Sequence, residues 1–254
     1  RVRMLEGRVR AKAKVSSRRR DAMGGSVALA SAWLALAAHA AAADGPESDD
    51  RFERRIKSTK DIRSLVSEGM RTFNRGEVKR SVSCFDRVIK LSPATKPFLW
   101  QRGISLYYAE DFQGGLEQFE SDVAVNPSDT EEAVWYQLCY LRLNPNTNNC
   151  PPSLPLRGID PRPVMRQVSN LFQCKISPEE FLNIFSAGTR NPPHDVFYAK
   201  LYAALWYEGK GLDEKAKSTM LEALGSDYGN SPEGSEDYMY NVAQVHAKLR
   251  GWKA

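Results

Sequence analysis

Two windows of this chain align with each other at an offset of 34 residues without a gap: Leu65 with Leu99, Gly69 with Gly103, Phe85 with Phe119 and Pro93 with Pro127. A fixed offset of that size marks a two-helix unit that stacks on its own copy, because one pair cannot bury its apolar face alone. Each landmark has a mechanical role. Glycine inside a helix costs roughly 1 kcal/mol relative to alanine, so Gly69 and Gly103 point to close helix–helix approach. Phe85 and Phe119 would plug the layer between helices. Pro93 and Pro127 follow the second helix of each unit and stop it, since proline cannot continue the hydrogen-bonded ladder.

The spacing predicts helices near 59–74 and 77–91 in the first unit, and near 96–109 and 112–125 in the second. A further helix is expected over about 130–143, started by a capping box of Ser128 with Glu131. The strict period then breaks. Asn144 to Pro155 is rich in Pro and Asn and reads as a loop. Val164, Met165, Val168, Leu171 and Phe172 recur at helical spacing. Ser177-Pro178-Glu179-Glu180 is a helix start, with Phe181, Leu182 and Phe185 inward and Gly188 as the stop. A degenerate unit spans 195–228, and Tyr238, Val242, Val245 and Leu249 mark a last helix that would cap the stack.

The repeat resembles the tetratricopeptide (TPR) family, which writes Leu-Gly, a small Ala, an aromatic and a closing Pro at fixed offsets. Glu68 and Arg102 stand where the family has Leu, and Ser81 and Gly115 where it has Ala. The stretch Arg102–Tyr108, with Phe119, Asn126–Asp129 and Ala133–Trp135, is similar to TPR lipoproteins of the bacterial outer membrane that dock peptidoglycan hydrolases. Asp122–Pro127, Asp160–Arg166 and Asp237–Met239 are similar to TPR proteins of plants and algae. The resemblance implies an all-α fold, a right-handed α-solenoid with an irregular middle and a C-terminal capping helix. The expected organisation is a leader over 1–43, a linker over 44–58 and a helical domain over 59–254. Its repeats are 62–95 and 96–129, with degenerate copies at 130–143 and 195–228, an irregular 144–194 and a cap at 236–250.

The family register places first helices along a concave groove. Its candidate lining is Met70, Phe73 and Asn74, then Trp100, Ile104, Tyr107 and Tyr108, then Leu138 and Arg142. That wall suits an amphipathic helix or extended peptide, with Tyr and Trp as anchors. The implied function is a non-enzymatic protein-binding adaptor, for instance in assembling a membrane complex. The alternatives are a structural subunit whose groove is filled by its own chain, and an enzyme with its site in 144–195, where Asp160, Arg162, His194 and Asp195 are the candidate polar cluster. Val66, Met70, Gln101, Glu131 and Trp135 occupy the positions at which related domains hold a chaperone's terminal carboxylate. No such carboxylate clamp is expected.

The formal charge of +5 suggests nucleic acid until it is mapped. Residues 1–43 carry +7 and residues 44–254 carry −2, so the basicity belongs to the leader. Arg18-Arg19-Arg20 ahead of the apolar run Val27–Ala38 reads as a targeting signal, too short to span a bilayer. It resembles the two-part presequence of thylakoid-lumen proteins, with a secretory signal or an uncleaved anchor as alternatives.

Signals for chemistry are sparse. Cys84, Cys139, Cys150 and Cys174 lack metal-site spacing, and neither His39, His194 nor His246 has a partner at ligand or catalytic spacing. No metal and no cofactor is expected, nor a nucleic acid or a small-molecule substrate. In an oxidising compartment Cys150 and Cys174 are candidates for a disulfide, and Cys84 and Cys139 read as small hydrophobes in helix interiors.

Overall fold

The computed structural model describes residues 47–145, 147, 149–186, 190–229 and 231–253. The leader's arginines and apolar run, His39 and the helix stop expected at Gly188 lie outside the described residues. The chain divides into 1–49 and 50–254, and the fold below is that of the second unit.

All regular structure among the described residues is helical. In chain order the helices are α1 (Asp49–Ser58), α2 (Ile62–Asn74), α3 (Val78–Leu91), a 3-10 turn (Pro93–Phe98), α4 (Trp100–Tyr108), α5 (Phe112–Val125) and α6 (Thr130–Leu143). They continue as α7 (Pro163–Phe172), α8 (Pro178–Ile184), α9 (Pro193–Gly209), α10 (Asp213–Leu224), α11 (Pro232–Glu236) and α12 (Tyr238–Leu249). Consecutive helices pack as neighbours from α2 to α6, and α9 packs on α10.

The matched landmarks meet in space. A Cβ on Gly69 would lie 2.8 Å from Phe85 Cζ, and one on Gly103 would lie 2.5 Å from Phe119 Cζ. Both rings are fully buried. Each glycine is therefore the slot into which the partner helix drives its phenylalanine. The polar residues in the pattern are paired rather than exposed. Buried Glu68 accepts from Arg55 at 3.0 Å and also pairs with Arg71. Burial alone would raise the Glu68 carboxyl, but the two guanidinium hydrogen bonds hold it below its ordinary value. Arg102 reaches Asp86 at 2.7 Å and Gln118 at 3.0 Å. Ser81 bonds the Gly69 carbonyl at 2.7 Å and lies 2.8 Å from the Ser105 hydroxyl, tying α3 to α2 and α4.

Several expectations need correction. The segment 44–58 is not a linker throughout, because α1 occupies Asp49–Ser58. Phe52 and Ile56 lie four apart, on one helical face, and both are buried beside Leu65, Phe85 and Val88. The helix expected over 96–109 is split by Pro97 into a 3-10 turn and α4. The cap of α6 is Asp129, whose carboxylate accepts from Glu131 N–H, rather than Ser128. A short α11, not expected from the sequence, precedes the last helix, which begins at Tyr238 behind its cap Asp237 rather than at 236. By contrast, Ser177 and Glu180 form the reciprocal capping box that starts α8.

The middle of the chain is held by contacts distant in sequence. Cys150 and Cys174 are joined in a disulfide, and Gln137 donates to the carbonyls of Pro151 and Phe172 at 3.2 Å each. Cys84 and Cys139 are buried free thiols; burial pushes the Cys84 thiol up to about 12, which leaves it inert.

Candidate functional site

Of the candidate groove residues, Phe73, Trp100, Ile104, Tyr107, Tyr108 and Leu138 share one apolar cluster, Met70 packs in another beside Leu65 and Phe85, and most of them do not face solvent. Phe73, Ile104, Tyr107, Tyr108 and Leu138 are buried, Met70, Trp100 and Arg142 are half-buried, and Asn74 is exposed. The chain's own last helix covers Phe73, Trp100 and Tyr108, while Tyr107 is met by Glu208 of α9. α12 packs against α2 and α10, and Asp237 fixes its start by accepting from Met239 N–H at 2.8 Å. The same carboxylate accepts from the hydroxyls of Tyr198 and Tyr228 at 3.0 and 2.8 Å.

From that cap, Tyr238 stacks on Phe73 with centroids 5.6 Å apart and meets Trp100 edge-on at 5.0 Å. Aromatic pairs of this kind contribute about 0.5–1.5 kcal/mol beyond their buried area. Two turns further, His246 is fully buried, with Nδ1 3.0 Å from the Tyr108 hydroxyl. Lys248 donates to the Arg75 carbonyl at the end of α2 over 2.7 Å.

A second contact closes the other edge. Glu208, near the end of α9, accepts from Tyr107 at 3.2 Å and from Arg250 Nη2 at 2.9 Å. Arg142 stands 3.4 Å from the same carboxylate and 5.2 Å from the Phe112 ring centre. Burial, with Arg250 and Arg142 nearby, holds the His246 imidazole well below its ordinary value. Burial likewise pushes the Tyr107 and Tyr108 hydroxyls up, so both stay protonated. Neutral histidine and neutral tyrosines around one paired carboxylate make an interlock between helices.

The polar residues of the irregular stretch separate into two groups. Arg162 joins Asp160 at 2.9 Å and Glu131 at 2.6 Å, and Tyr202 donates to Glu131 at 2.6 Å. His194 pairs with its neighbour Asp195 at 3.0 Å. No hydrogen bond or ion pair among the described residues links the two groups. Burial raises the Glu131 carboxyl although Arg162 opposes it. Among the described residues no group of three or more His, Cys, Asp or Glu is placed to hold a metal ion. None of their helices is long and apolar enough to cross a membrane.

Sequence reasoning did not single out Glu208 or Arg250 as site residues. A signal existed for Glu208: it is the one carboxylate in the otherwise apolar second half of α9, Leu201–Gly209. Neither a protein-family model nor a curated protein matches the chain.

Proposed function

We propose that this chain is a non-enzymatic scaffold of stacked TPR-like helix pairs, an α-solenoid whose concave face is filled by its own C-terminal helix. The observation that carries this is Tyr238 seated against Phe73 and Trp100, the side chains an open groove would offer to a peptide. The 34-residue register and the glycine slots for Phe85 and Phe119 support the TPR reading. The role is that of a structural subunit, which meets its protein partner on outer surfaces.

The partner chemistry follows from charge. Residues 103–141 hold eight acidic residues and no Lys or Arg. α5 exposes Gln113, Glu117, Glu120 and Ala124, spaced along one side of the helix. Such a row suits a basic protein surface. The basic leader followed by an apolar run supports export, with the thylakoid lumen as the compartment it resembles most. The exposed Cys150–Cys174 disulfide supports an oxidising one.

The second reading, an adaptor that binds through the groove, is favoured by what stays accessible at its mouth: Met70, Asn74 and Trp100. Partner capture from native extract by the full chain separates the two. Two variants are compared, Asn74→Ala/Trp100→Ala at the groove mouth and Glu117→Lys/Glu120→Lys on α5. The scaffold reading expects a partner that survives the first substitution pair and is lost with the second. Loss confined to a folded groove variant would restore the adaptor.

A further inference from the structure

A cavity of about 320 Å³ lies at the foot of the closed groove, where the ends of α4, α6, α9 and α12 come together. That is at the small end of volumes that hold an organic ligand. The rings of Tyr107, Tyr108 and Phe112, with Leu249, line it together with four charged side chains. Two of the four, Glu208 and Arg250, are spent on each other. The other two are less engaged. Arg142 pairs with Glu208 at 3.4 Å without a hydrogen bond and lies over the Phe112 ring, while exposed Glu110 makes no side-chain hydrogen bond or ion pair among the described residues. Arg142 and Glu110 therefore present a cation and an anion to one aromatic-walled space without neutralising each other.

The backbone singles out Glu110 independently. The turn between the two helices of a unit needs a left-handed residue, and it is glycine at Gly76 (φ +79°) and at Gly211 (φ +70°). Glu110 occupies the same place in the second unit, 34 residues after Gly76, with φ +63°. A carboxylate thus stands where a glycine would be free of steric strain.

We propose that this cavity binds an apolar α-amino acid as its zwitterion, with the ammonium on Glu110, the carboxylate on Arg142, and the side chain against Tyr107, Tyr108 and Phe112. A ligand with adjacent opposite charges and an apolar body matches all three features of the space. A simple anion would be repelled by Glu110, and a simple cation by Arg142. The inference stands apart from the scaffold reading, since it needs only the cavity.

Titration of the full chain by calorimetry with L-leucine and L-phenylalanine tests it, beside N-acetyl-leucine and leucinamide, each of which lacks one charge. Saturable binding of the free amino acids is expected. Either blocked form should bind weaker by about tenfold or more, the scale of losing one charge-assisted contact. Glu110→Gly keeps folding from confusing the result, because it relieves the turn. It should raise Tm and yet weaken leucine by about tenfold or more. Arg142→Gln should give the same loss for leucine and none for leucinamide. The proposal is overturned by absence of saturable binding up to about 50 mM, far weaker than useful recognition. Blocked and free forms binding alike, or Glu110→Gly binding leucine unchanged, would overturn it equally.

Discussion

The stretch from Leu65 to Pro127 and the stretch from Asn144 to Arg250 are both helical, but they are held together by different means. In the first, each helix meets its sequence neighbour, and the contacts that matter are the local plugs of Phe85 in Gly69 and Phe119 in Gly103. In the second, the defining contacts span long separations: a disulfide 24 residues apart, Tyr202 to Glu131 across 71 residues, and Tyr108 to His246 across 138. Local plugs leave a repeating trace in the chain. Long-range ties do not, because each is made once.

Substitutions can break or sharpen that contrast. The largest effect is expected for Phe119→Ala, which empties a fully buried ring site stacked on Trp135 and should cost about 3–5 kcal/mol in urea unfolding. A loss below about 1 kcal/mol would mean that the plug is not what holds the repeat.

Next comes reduction of Cys150–Cys174, or Cys150→Ser. A closed loop of this length stabilises by about 3 kcal/mol in the chain-entropy account. Amide exchange should quicken around the loop and the end of α7 while α2 to α5 keep their protection. Uniform loss across both regions would erase the distinction.

A smaller effect follows from His246. Its imidazole is held below the unfolded value of about 6.5, so stability is full above that pH and falls as pH drops through it. Between pH 6.5 and 5.5 the loss should be about 1.4 kcal/mol or less, and His246→Gln should flatten that part of the profile. Glu68 and Asp160, both held below their ordinary values, add the same sign of change, but at lower pH where carboxylates titrate. A profile that stays sloped in the variant would remove His246 from the interlock.

The smallest effect is a gain. Glu110→Gly should stabilise by about 1 kcal/mol, because it places glycine where φ is positive. Gly76→Ala, at the matching turn, should lose a similar amount. Equal and opposite shifts would show that the two units share one turn geometry despite their different residues.

These differences explain how much could be read in the chain. The helix pairs of 62–125 were legible because Gly, Phe and Pro act within one unit. The α8 cap was legible because Ser177 and Glu180 are three residues apart and need no tertiary partner. α1 was obscured by composition: its two buried residues, Phe52 and Ile56, sit among seven charged neighbours and read as a solvated link. The candidate groove residues are buried by partners distant in sequence, Tyr238 against Phe73 and Trp100 and Glu208 against Tyr107, and Met70 packs apart from them. Sequence left that closure open as one of two outcomes. The Glu208 interlock escaped because a lone carboxylate at a helix end is ordinary until two arginines and a tyrosine are found around it.

The central claim is that α12 fills the groove, and aromatic cross-relaxation in solution tests it most directly. With ring centres 5.6 and 5.0 Å apart, protons of Tyr238 should show nuclear Overhauser contacts to both Phe73 and Trp100. The amides of Val242 to His246 should also exchange as slowly as those of α4. Absence of both contacts, with α12 amides exchanging as in an exposed helix, would contradict the account and leave the groove open for a partner.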